Sequence, residues 1–165
     1  MEGQKKRVAV LVGCNYPNTS NELHGCINDV LAMKETLVKR FGFDESSIEM
    51  LTDAPNSCKL PTGANIKQAL AKMVDGAEAG DMLYFHYSGH GTRIPSKKHG
   101  HPFRHEEAIV PCDFNLITGL YSPLSYHTIE ICTFHFTSHH SFLSQHLKVV
   151  VSKISYQNII THCIV

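Results

Sequence analysis

The chain has 165 residues and a mass of 18.4 kDa, enough for one domain that buries about 70% of its unfolded surface. Fifteen basic side chains balance fifteen acidic ones, which argues against a polybasic nucleic-acid or membrane-surface binder. At 42% hydrophobic the sequence is not disordered by composition. No apolar run approaches the roughly 18 residues of a transmembrane helix, and the polar start lacks signal-peptide character, so a cytoplasmic location is expected.

In chain order, residues 7–12 form a continuous apolar run bounded by Arg7 and Gly13. Such a run suits a central parallel strand covered on both faces. Residues 15–20 are turn chemistry. From Ile27 to Phe41 the residues Ile27, Val30, Leu31, Leu37, Val38 and Phe41 recur along one helical stripe, and Gly42 is placed to end the helix. Residues 48–52 predict a second strand, and Thr62 is positioned to cap a helix running to about Val74. In that helix Ile66, Leu70, Met73 and Val74 face inward. Residues 82–87 predict a third strand that runs into Ser88-Gly-His-Gly91, and residues 108–111 read as a short extended piece ended by Pro111. The order β-α-β-α-β predicts a mainly parallel sheet with helices on both sides, its functional groups at the carboxyl ends of the strands.

The composition breaks near Thr118–Gly119. Residues 1–118 carry 27 charged side chains, whereas residues 119–165 carry three, Glu130, Lys148 and Lys153, together with six of the twelve histidines. Folded domains normally keep surface charge to their ends, so two regimes are read: a domain over 5–118 and a divergent, poorly ordered tail over 119–165. His135 and His139 are spaced for one helical face beside His140, but the surrounding Thr and Phe favour extended structure over a metal site.

Several side chains could carry chemistry. His90 lies between two glycines at a strand's carboxyl end, where an imidazole suits proton transfer near neutral pH. Against this stands a plain turn with an incidental histidine. Ser88 does not sit in a Gly-x-Ser-x-Gly elbow and reads as structural. Asp29 lies near the start of the first helix, where it either stabilises the helix end or receives a cationic side chain. Cys14, Cys26, Cys58 and Cys112 read as buried small hydrophobes, any one of which could be a nucleophile only if paired with a base, and the six cysteines show neither CxxC nor zinc-finger spacing. Glu106, Glu107 and Asp113 read as solvated loop acids.

Taken in order, Lys6-Arg-Val-Ala-Val-Leu-Val-Gly-Cys-Asn-Tyr-Pro17, Glu22-Leu-His-Gly-Cys-Ile-Asn-Asp-Val30, Thr62-Gly-Ala-Asn-Ile66, the run Tyr84 to Arg93 and Glu107 to Thr118 resemble the opening of a plant type II metacaspase. The resemblance covers residues 5–118. It implies part of a caspase-like three-layer α/β sandwich and a cysteine endopeptidase that cleaves after Arg or Lys, with a role in programmed cell death. It implies His90 as the catalytic histidine, Gly91 as an oxyanion-hole amide donor and Asp29 as an acidic wall of the pocket for the substrate's basic side chain. After Thr118 the sequence departs from the family. The Asp-(Ser/Ala)-Cys-His-Ser-Gly segment that supplies the nucleophile does not occur, since Cys132 and Cys163 stand in other contexts. The acidic region behind the family's calcium dependence is missing too, and residues 97–105 are basic where plant relatives tend to be acidic. No cofactor is therefore expected in this chain. The expected partners are basic peptides if it is active and intact metacaspases if it is not. An inactive chain would be an interaction module, a regulator of intact relatives, or a functionless truncated splice product.

Overall fold

The computed structural model describes residues 5–78, 80–95 and 105–118, and three further strands at 128–132, 146–152 and 163–164. Strands β1 (Arg7–Gly13), β2 (Ile48–Thr52) and β3 (Met82–Ser88) form one parallel sheet in the order β2-β1-β3. The helices α1 (Cys26–Phe41) and α2 (Gly63–Asp75) are the crossovers that return the chain to the same end of the sheet. This is the layered α/β arrangement and the strand set expected from the sequence.

Strand alternation explains why β1 is apolar throughout. Ala9 and Leu11 turn one way, onto Val30 and Leu37 of α1 and onto Phe43 and Tyr84. Val10 and Val12 turn the other way, onto Ile66, Ala69, Leu70, Met73 and Val74 of α2 together with Phe85 and Tyr87. Both faces are dry, so no position in the centre of β1 can be polar.

Helix α1 ends as expected at Gly42, whose φ of 64° is left-handed and whose N–H bonds the Leu37 carbonyl. The Arg7 guanidinium donates to the Phe41 and Gly42 carbonyls. Its apolar stripe is narrower than the sequence suggests, because Leu31 and Phe41 are about half exposed. Leu31 follows Val30 by 100° around the helix, which carries it off the face that Val30 buries. Helix α2 matches its reading. The Thr62 hydroxyl accepts the Asn65 N–H at 3.2 Å, and Ile66, Leu70, Met73 and Val74 are all buried.

Past Ser88 the expectation of one short extended piece is corrected. Strand β4 (Gly91–Pro95) pairs antiparallel with β5 (His105–Ile109), and β5 pairs with β6 (Ile117–Thr118). The extended piece thus begins earlier than residue 108 and ends at Ile109. Asp113 is an exposed loop acid, as read, and its carboxylate also accepts the Gly63 N–H at 3.0 Å and the Asn115 amides. Within 119–165, β7 (Thr128–Cys132), β8 (His146–Ser152) and β9 (Cys163–Ile164) form an antiparallel set. Strand β9 comes alongside β3 without joining its ladder. His135, His139 and His140 lie outside the described residues.

Candidate active site

The carboxyl end of the sheet is assembled from three loops. The ladder of β1 on β3 runs to Gly13 opposite Ser88 and is prolonged by the Cys14 N–H, which donates to the Ser88 carbonyl at 2.9 Å. The two strands therefore leave the sheet side by side. Gly13 lets α1 approach, because a Cβ there would stand 2.9 Å from the Cys26 carbonyl oxygen.

The loop after β1 is fastened by an acid that follows β2. Asp53 accepts the Asn15 N–H at 2.8 Å and the Tyr16 N–H at 2.7 Å, one on each carboxylate oxygen. Asn15 in turn offers its side-chain oxygen to the Cys26 N–H at 3.0 Å. That bond supplies the cap of α1 that Gly25, without a side chain, cannot give. Leu23 N–H closes the loop on the Asn15 carbonyl at 2.7 Å.

His90 is held on three sides. Its N–H donates to the Tyr16 hydroxyl at 2.9 Å. Its carbonyl accepts the Val110 N–H at 3.0 Å and the Tyr87 hydroxyl at 3.1 Å. Its ring lies 4.9 Å from the Tyr16 ring, with Nε2 2.8 Å from the Asn21 carbonyl oxygen. A carbonyl only accepts, so in that contact Nε2 carries the proton, and in the neutral imidazole the lone pair is left on Nδ1. Gly89 is required by this packing, since a Cβ there would fall 2.6 Å from the Tyr87 hydroxyl and 2.9 Å from that of Tyr16.

Asp29 sits in the first turn of α1 and accepts the Ser88 hydroxyl proton at 2.7 Å. The structure thus brings Asp29 beside Ser88, two residues before His90. Gly91 opens β4 opposite Ile109. Ser88, read as structural, is buried and serves the carboxylate. Sequence reasoning missed Asp53 and Tyr16. Asp53 carried a usable signal, an acid directly after the carboxyl end of a parallel strand. Tyr16 carried none, because its role depends on contacts far along the chain.

The cysteines at this end of the sheet are not thiolates. Burial pushes the Cys14 thiol far above its ordinary range, and the Asp53 charge adds to the shift. Burial also raises Cys26, against a hydrogen bond from Ser88 that lowers it. Cys112 is pushed up to about 11, first by desolvation and then by Asp53 and Asp113. At about 11 a thiol is roughly one part in ten thousand thiolate at neutral pH. Among the described residues no group of three or more His, Cys, Asp or Glu side chains is gathered to hold a metal ion, and no helix is long and apolar enough to cross a membrane.

The family model for the metacaspase, peptidase C14 domain matches residues 6–122. Metacaspase-9 of Arabidopsis thaliana is 74% identical over 118 residues, covering 70% of this chain and 36% of that protein. Metacaspase-4 of the same plant is 52% identical over 111 residues, covering 67% and 27%. The crystal structure of protein GSU0716 from Geobacter sulfurreducens overlays with a TM-score of 0.54 at 24% identity, covering 68% of this chain and 41% of that one, and supports the fold alone. The chain belongs to the metacaspase family and has the caspase-like fold class. It spans about a third of the length of the curated relatives it matches.

Proposed function

We propose that residues 5–118 are the histidine-bearing half of a cysteine endopeptidase domain for Arg- and Lys-terminated sites, and that the 165-residue chain by itself does not hydrolyse peptides. The observation that supports the first part is the setting of His90. With Nε2 donating to the Asn21 carbonyl, Nδ1 is left to take a proton from a thiol. In the reaction of this class the thiolate adds to the scissile carbonyl carbon, the imidazolium returns its proton to the leaving amine, and water then cleaves the thioester. Asp29, oriented by the Ser88 hydroxyl, supplies the negative charge for a guanidinium or ammonium. The Gly91 amide is the proposed donor to the oxyanion.

The second part rests on thiol chemistry. None of Cys14, Cys26 and Cys112 has thiolate character, and none of the six cysteines stands in an Asp-Cys-His-Ser-Gly context. Loss of a catalytic nucleophile costs on the order of a millionfold in turnover. The purified chain should give no turnover of fluorogenic Arg- or Lys-terminated peptides, with or without calcium. Turnover that His90→Ala abolishes would mean that one of these thiols serves after all, and Cys26→Ala would identify it or exclude it. Turnover that survives His90→Ala would remove His90 from the mechanism.

A second reading has one observation behind it. β2 and β3 are the outer strands of the order β2-β1-β3, β9 lies alongside β3 without pairing with it, and outer strands whose ladder is open recruit partners by adding a strand. On this reading the chain is a non-catalytic cytoplasmic module that binds intact metacaspases. Co-purification with a full-length relative, lost when β3 is altered, is its test.

A further inference from the structure

We propose that Tyr16 is the positioning residue of His90. The inference rests on the reading of His90 as the base, and it concerns how that imidazole is held.

The backbone of Tyr16 is left-handed, with φ of 51°, a conformation that bulky side chains rarely adopt. It persists where the surroundings over-determine it. Here they do so through Asp53, whose two oxygens take the N–H groups of Asn15 and Tyr16 in charge-assisted bonds. The unusual backbone sends a large ring inward, where Tyr16 is 1% exposed. Its hydroxyl donates to the Val110 carbonyl and accepts the His90 N–H. Burial pushes the Tyr16 phenol well above its ordinary range, so the donor proton is kept at any physiological pH.

The same loop holds the imidazole at its other end. The Tyr16 carbonyl accepts the Thr19 hydroxyl at 2.8 Å and the Thr19 N–H at 3.3 Å, and the Thr19 hydroxyl accepts the Asn21 N–H at 3.2 Å. Asn21 then presents its carbonyl to Nε2 of His90. Residues 16–21 thus grip His90 by its amide and ring face, through the Tyr16 side chain, and by one ring nitrogen, through Asn21, which Thr19 ties to the Tyr16 carbonyl. Gly89 belongs to the same device, because any side chain there would displace the two tyrosine hydroxyls.

The test is made by nuclear magnetic resonance on the 165-residue chain and its Tyr16→Phe variant, which keeps the ring and loses the hydroxyl. In the unaltered chain the Hα–Hβ couplings of His90 should report a single side-chain rotamer, and its amide should exchange slowly. In Tyr16→Phe the couplings should average over rotamers and the amide should exchange at least about tenfold faster, while amides of β3 that face β1 keep their protection. A merely structural tyrosine would lower the melting temperature and leave the couplings alone. Unchanged couplings in a folded Tyr16→Phe chain overturn the proposal, whatever the amide does. If that variant does not fold, Asp53→Asn is read in its place. It leaves the phenol intact and weakens the clamp, and unchanged His90 couplings there overturn the proposal equally. These readouts follow the geometry of His90 and do not depend on its acting as a base. The base reading fails separately, through hydrolysis that survives His90→Ala.

Discussion

Gly89 shows how a single missing side chain can decide a site. Two tyrosine hydroxyls meet where its Cβ would stand, at 2.6 and 2.9 Å, and both belong to the network around the Val110 carbonyl. Neither can withdraw without leaving a buried polar group unmatched. Gly89→Ala should therefore destabilise the chain by about 1–3 kcal/mol, read as a lower melting temperature. It should also disturb the His90 resonances more than those of the distant α1. Some of this was legible in the sequence. A histidine flanked by glycines at the end of an apolar run pointed to His90, and the position of Asp29 at a helix start pointed to its carboxylate. Asp53 and Tyr16 stayed hidden because their partners lie 37 and 74 residues away in the chain, a separation over which pattern and propensity carry no information.

At the scale of elements, the joint between α2 and the segment after β5 depends on Asp113. Burial alone would raise its carboxyl, but the Gly63 and Asn115 N–H groups outweigh that and hold it below its ordinary value of 3.8. The folded-state value is depressed, so the stabilisation is complete above 3.8 and is lost as pH falls through the lower folded-state value. Asp113→Ala should cost about 1 kcal/mol at neutral pH, the usual worth of a helix cap. The gap in melting temperature between the two chains should close on acidification, and a gap that persists in acid would assign the effect to packing. The long elements were readable because their periodicity is local: both helices and all three parallel strands fall within about a residue of their expected limits. The hairpin of β4 on β5 was not, because Gly-Thr-Arg-Ile-Pro lacks alternation and becomes a strand only by pairing with residues 105–109. The exposure of Leu31 and Phe41 was equally invisible, since a stripe in sequence does not reveal how wide a face the sheet will cover.

For the whole molecule, composition changes near Thr118–Gly119, and the family match covers residues 6–122. Charge depletion could mark that break but could not reveal the strand pairing of β7 with β8 beyond it. The thiols offer a test that spans the described fold. Cys58 is exposed, whereas Cys14 and Cys26 are buried. Alkylation of the native chain at neutral pH should modify Cys58 first and reach Cys14 only with unfolding, as site-resolved mass spectrometry would record. Rapid labelling of Cys14 or Cys26 would show a reactive thiolate at the end of the sheet and reopen the question of a substitute nucleophile.

The contacts that set His90 also fix when the site comes into being. Its two bonds to the loop after β1 bridge 74 and 69 residues, and Asp53 reaches back 38 and 37. Closing such loops is entropically slow and is rewarded only after β1 has paired with both β2 and β3. The site is therefore a late product of folding, and a ribosome-bound chain that has not yet released β3 has no site at all. Slow hydrogen exchange at the His90 amide should accordingly follow opening of the whole parallel sheet and not fraying of its loop.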